Sequence, residues 1–212
     1  MSRIGGTVLR AIGGVRRAQG VAHRLMGFAA GWVFVACAFF ITADVLGRNF
    51  LGVSSQSSVE LTGYMLALGT TWALGHTLIE RCHVRIDLLI RKLPSKPRFV
   101  LHLVSLLMLV LFVGFLAKGA LNLVEESWLF RATDISLLRV PLVIPQGLWA
   151  FGLGMFFLLA ATMLLEGVLL LAAGRGAAVE QQLQARTYDE EAAETLVALG
   201  APEGTDAANR RP

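Results

Sequence analysis

The sequence predicts an all-α membrane protein: four transmembrane helices, both termini cytoplasmic, and a short amphipathic interfacial helix in the cytoplasmic loop between helices 2 and 3. Three observations carry that prediction. Of 212 residues, 55% are hydrophobic and only 16% charged, with a mean hydropathy of +0.64. A soluble chain carries about a quarter charged residues, so the surface needed to keep this one in water is missing. The apolar residues lie in long charge-free blocks, and arginine and lysine gather on one side of those blocks. A doubly wound nucleotide fold, a secreted disulfide scaffold and a DNA-binding module are excluded, despite a pI near 9.6.

Residues 1–24 form a basic leader, and 25–173 form the transmembrane domain. Leu25–Ala43, Leu61–Ile79 and Phe99–Ala117 are charge-free runs of 19 residues each. As a helix, each spans roughly 28 Å, close to the hydrocarbon thickness of about 30 Å. Val140–Leu165 is a fourth run, of 26 residues, but contains Pro141 and Pro145. Its spanning part is therefore placed from Gln146. With their interfacial ends the spans cover about 25–46, 60–80, 98–118 and 146–170. Helices are required because lipid offers no partner to unpaired backbone groups, and the alternation of a transmembrane barrel is absent.

Orientation follows from the cations. The leader holds Arg3, Arg10, Arg16, Arg17 and Arg24 and no acid, and Glu80–Arg98 holds six more basic residues. The other two connections hold only Arg48, Lys118, Arg131 and Arg139. Eleven against four places the amino terminus and the second loop in the cytoplasm. The first run does not read as a cleaved signal peptide: its leader is long and no AxA-like site closes it. Residues 174–212 form a cytoplasmic tail with four basic and seven acidic residues. A helix through Val179–Leu199 and a disordered end are expected there.

The segment His83–Pro94 is the most patterned loop. Wound as a helix over about 83–93, Ile86, Leu89, Ile90 and Leu93 make one apolar stripe flanked by charge. Too short to span and stopped by Pro94, it suits the cytoplasmic interface, its basic flank meeting anionic membrane lipid, the competing reading being an ordinary charged turn between two spans.

Chemistry-bearing candidates read as structural. His83, Arg85 and Asp87 lack the paired histidines of a metalloprotease and the positioned nucleophile of a hydrolase. Cys37 lies in a span and Cys82 in a charged loop, with no CxxC and no zinc spacing, so neither a metal nor a quinone-linked thiol chemistry is indicated. Asp44, Glu60 and Glu166 are acids at span ends, where pairing or snorkelling removes much of the cost. Arg48 is placed to pair with Asp44 at i, i+4. His76 and His102 sit near cytoplasmic ends, where local partners are expected. Trp128 and Trp149 suit an aromatic belt, while Trp32 and Trp72 lie deeper. No span carries a charge at mid-depth or the central glycine–proline break of a transporter helix. No catalytic site, cofactor site or nucleic-acid site is indicated.

Several of these residues occur together in a recognisable order. Arg48 follows span one, Glu60–Leu61 opens span two, and Tyr64, Trp72 and Gly75 follow. His83–Val84–Arg85–Ile86–Asp87 comes next, and Pro141 to Pro145 with Gln146–Gly147–Leu148–Trp149 opens span four. Over about residues 25–170 this resembles the small permease subunit (DctQ type) of tripartite ATP-independent periplasmic (TRAP) transporters. It departs from the family pattern at Glu80–Arg81–Cys82, where a glycine often precedes the histidine, and at Ser58–Val59, where a second acid is common.

The resemblance implies a bacterial inner-membrane complex. A periplasmic solute receptor (DctP type) delivers an organic acid such as a C4-dicarboxylate. A large permease (DctM type) carries it inward on a sodium or proton gradient. The small subunit is implied to be a scaffold, with His83, Arg85 and Asp87 anchoring the interfacial helix or facing the large permease. Arg48, Glu60 and the Pro141 loop are then structural or receptor-facing. The competing expectations are a stand-alone four-helix transporter or channel acting as a homo-oligomer, and a membrane enzyme.

Overall fold

A computed structural model of the chain describes residues 2–53, 55, 57–80, 95–136, 138–174 and 195. Within these lie four helices: α1 (Ser2–Leu46), α2 (Ser58–Ile79), α3 (Ser95–Leu129) and α4 (Val143–Ala172). A π-helical turn, Gly47–Leu51, ends α1, and a single bridge joins Thr133 to Pro141 across the α3–α4 loop. The interfacial segment 83–93, with its stripe Ile86, Leu89, Ile90 and Leu93, lies outside the described residues. So does the tail beyond 174, Thr195 apart.

The main contacts run α1 against α2, α2 against α4, and α4 against α3, with α1 also touching α4. The core is built on two apolar clusters, with His23, Thr71 and His102 among the buried polar side chains. Leu78, Leu103, Leu106, Val113, Phe156, Leu159, Ala160 and Met163 form one cluster, and Ala120, Ala150 and Leu153 a second. Large apolar side chains also point outward: Phe39 is 74% exposed and Phe115 is 76% exposed. Such faces are costly in water and neutral in lipid.

Three helices are long and apolar enough to cross a membrane: α1 with its π turn from Ile12 to Leu51, α3 from Val100 to Leu129, and α4 from Val143 to Ala172. Of the four spans expected, three meet this measure of length and apolarity. Helix α2 is present and has 22 residues, but Gly63, Gly69, Thr70, Thr71, Gly75, His76 and Thr77 dilute its hydropathy. The physical reason lies in packing. Gly69 and Gly75 admit side chains of α1, and its threonine hydroxyls donate back to its own carbonyls, Thr70 to Leu66 at 2.7 Å and Thr71 to Ala67 at 2.9 Å.

Two boundaries also differ from the sequence expectation. The basic leader is continuous with the first span: α1 is 45 residues, roughly 68 Å at 1.5 Å per residue. One heptad-like stripe runs along both parts, with Ile12, His23, Met26, Ala30 and Cys37 buried and Arg16 and Gln19 half-buried between them. Helix α3 continues past Lys118 to Leu129, since no proline interrupts it. Helix α4 begins at Val143 instead of Gln146 because Pro145 falls in its first turn, where no backbone donor is needed.

The ends are closed by left-handed residues. Gly52 (φ 65°) terminates the π turn with its N–H on the Gly47 carbonyl. Helix α3 ends in a Schellman motif: Ala132 N–H reaches the Ser127 carbonyl at 3.0 Å and Arg131 N–H the Trp128 carbonyl at 3.3 Å. Its left-handed position, normally glycine, is Arg131 with φ 46°.

Candidate functional site in the helix seams

The α1–α2 seam is built from rings resting on glycines. The His23 ring lies on Gly75, so closely that a Cβ there would overlap its Nδ1. Reciprocally, a Cβ on Gly27 would stand 2.9 Å from the His76 side chain, and one on Gly69 would stand 2.9 Å from the Phe34 ring. His23 is 1% exposed, and neither of its ring nitrogens has a hydrogen-bond partner among the described residues. The Nδ1 of His76 is likewise buried and without a hydrogen-bond partner among the described residues.

The α2–α4 seam centres on Trp72. Its indole N–H donates to the Leu148 carbonyl at 3.0 Å, and its ring meets Phe151 edge-on with centroids 6.1 Å apart. Beside it Thr71 sits on Gly152, where a Cβ would lie 2.7 Å from the threonine Oγ1. Close approach at small residues is how helices associate where lipid removes the hydrophobic drive.

The α1–α4 seam carries the charged pair. Arg16 donates to Glu166 at 2.8 Å, and Thr162 donates to the Gln19 amide oxygen at 2.8 Å. Glu166, read as a boundary acid, is thus paired with the leader.

At the other end, Arg48 donates to Asp44 at 2.9 Å, the i, i+4 pair its spacing predicts, and Ser55 N–H donates to Asp44 at 2.7 Å. The carboxylate ties the π turn to the start of α2. Glu60 lies half-buried in the first turn of α2. The α3–α4 loop is pinned by Asp134 N–H on Val140 and Leu142 N–H on Ala132. Desolvation raises the Asp134 carboxyl, but the nearby Ser136 and Tyr64 hydroxyls and the Ser136 and Ile135 amides outweigh it and hold its pKa below the usual range.

The structure thus joins Trp72 to the opening of α4, sets Pro141 in the bridged loop and Pro145 in the first turn of α4, and packs Trp149 beside the Ala120–Ala150–Leu153 cluster. Arg48 and Glu60 belong to a separate loop. His83, Arg85 and Asp87 lie outside the described residues. Sequence reasoning missed the His23–Gly75 and His76–Gly27 contacts and the Arg16–Glu166 pair. The signal available was the spacing of Ile12, Arg16, Gln19, His23, Met26 and Ala30, which continues one face from leader into span. Among the described residues, no three His, Cys, Asp or Glu side chains are placed to share a metal ion.

Among the described residues, this is an arrangement that holds helices together. No curated protein and no solved structure matches the chain. The family model for the DctQ component of tripartite ATP-independent periplasmic transporters matches residues 37–170. That match covers α2, α3, α4 and the apolar end of α1, and the family is one of transporter components and not of enzymes. The chain therefore belongs to the DctQ family and is the small, multi-pass inner-membrane component of a tripartite transporter.

Proposed function

We propose that this chain is a non-catalytic scaffold. In this reading it assembles with a large permease of the DctM type and a periplasmic receptor of the DctP type to import an organic acid, a C4-dicarboxylate or related carboxylate. The permease draws on a sodium or proton gradient, and the scaffold uses no cofactor of its own. Helix α2 completes a four-span bundle, with both termini in the cytoplasm.

One observation carries the reading. The α2–α3–α4 core clusters are made of apolar side chains, with Leu159 and Ala160 at 0% exposure and Phe156 and Met163 at 2%. The larger described groove, about 670 Å³, lies on the α3–α4 face and is walled by apolar residues apart from Lys118. A solute with two carboxylates needs several cations and donors along its path, and among the described residues these two clusters offer none.

The test is uptake of a labelled C4-dicarboxylate by cells producing the large permease and receptor, with and without this chain. Uptake and permease yield should both fall without it. Full uptake in its absence refutes the scaffold role.

A further inference from the structure

The end of α3 holds a cation that the scaffold reading does not use. Arg131 occupies the left-handed position of the Schellman motif, a place where glycine is favoured and a side chain is strained. It lines a cavity of about 480 Å³ with Ser127, Trp128, Thr133, Pro141 and Ile144. Among the described residues Arg131 has no ion pair. Glu125 and Glu126, one turn back on α3, do not line the cavity. A non-glycine residue kept in a strained conformation at the rim of a cavity calls for a functional explanation.

The cavity's depth and lining identify the ligand class. It lies where α3 ends and α4 begins, at headgroup level for helices of this length and apolarity. Trp128, 73% exposed, and Ile144, 57% exposed, present apolar surface beside it. A free carboxylate or phosphate ion would need polar groups on several sides. An amphiphile needs one cation and hydroxyls for its head and apolar wall for its chains.

The geometry points to a binding site for one anionic phospholipid, its phosphate on Arg131 within reach of Ser127 and Thr133, its acyl chains along Trp128 and Ile144. This goes beyond the scaffold reading and depends only on α3 and α4 lying in a membrane.

The same backbone geometry supplies the control. Arg139 also has a left-handed φ of 45° and the same charge, but does not line the cavity. Full-length chain in detergent would be titrated with phosphatidylglycerol or phosphatidylcholine and followed by native mass spectrometry. The wild type should retain one phosphatidylglycerol about fivefold better than phosphatidylcholine, the effect of one basic side chain on an anionic lipid. Arg131→Gly should abolish that preference while melting no lower than wild type, since glycine suits the backbone. Arg131→Lys and Arg139→Gly should keep it.

Equal retention by wild type and Arg131→Gly overturns the site. Equal loss in Arg139→Gly also overturns it, by showing general surface charge. Displacement of the lipid by excess inorganic phosphate or succinate reassigns the cavity to a soluble anion and overturns the lipid. If Arg131→Gly melts lower than wild type, Arg131→Gln decides: retained preference overturns the site and lost preference supports it.

Discussion

Replacing Gly75 by alanine tests the helix seams most sharply. Alanine is favoured over glycine within a helix by about 0.8–1.0 kcal/mol. At Gly63, also in α2, a Cβ meets nothing within 4 Å, so Gly63→Ala should show that gain alone. At Gly75 the new Cβ overlaps the His23 ring, including its Cγ, close to the root of the side chain. His23 is 1% exposed, so the ring cannot swing aside unless α1 and α2 part. Overpacking of this kind costs about 1–3 kcal/mol.

The two variants should therefore differ by about that amount. At roughly 2–4 °C per kcal/mol for a chain of this size, Gly75→Ala should melt about 2–12 °C below Gly63→Ala. The assay is the loss of helical circular dichroism on heating in detergent. Adding His23→Ala to Gly75→Ala should recover part of the difference, because the pair is in direct contact. If Gly75→Ala melts at or above Gly63→Ala, α1 and α2 do not approach as described.

Other perturbations probe separate links. Arg16→Ala and Glu166→Ala should each lower the melting temperature, and the double variant should lose less than their sum, by about 1 kcal/mol for a partly exposed pair; strict additivity would mean the leader is not clamped to α4. Trp72→Phe should cost about 0.5–1.5 kcal/mol for the lost bond to the Leu148 carbonyl, read as a lower melting temperature with helix content unchanged. In a background of Cys37→Ser and Cys82→Ser, a cysteine at Ser55 should react with an impermeant maleimide from the periplasm and one at Ala173 should not; labelling of both from one side would deny that α2 crosses. Leu89→Asp with Ile90→Asp should reduce membrane assembly, whereas alanine at His83, Arg85 or Asp87 should weaken the complex more than solute affinity.

Much of the architecture was legible because a bilayer imposes a length. The charge-free runs at 25–43, 61–79, 99–117 and 146–165 all fall inside helices. The Asp44–Arg48 pair was legible from spacing alone. The unity of leader and span was not, because arginines at 3, 10, 16, 17 and 24 outweigh the apolar stripe beneath them in any count of charge. The seams were hidden for a different reason. A glycine that receives a ring and a glycine that faces lipid look alike in sequence, so Gly75 and Gly63 separate only once α1 is in place. The same small residues keep α2 out of the three helices apolar enough to count as spans, since their role is close contact. The strain at Arg131 is likewise a property of where α3 stops, which no hydrophobic periodicity encodes.

Whether this protein moves solute unaided is the most direct question. Purified chain, reconstituted alone into liposomes with an inward sodium gradient and a proton gradient, should give labelled succinate uptake no greater than empty vesicles. Adding the large permease and the loaded receptor should then produce it. Saturable uptake by the chain alone would show a polar path through the bundle and contradict the scaffold account.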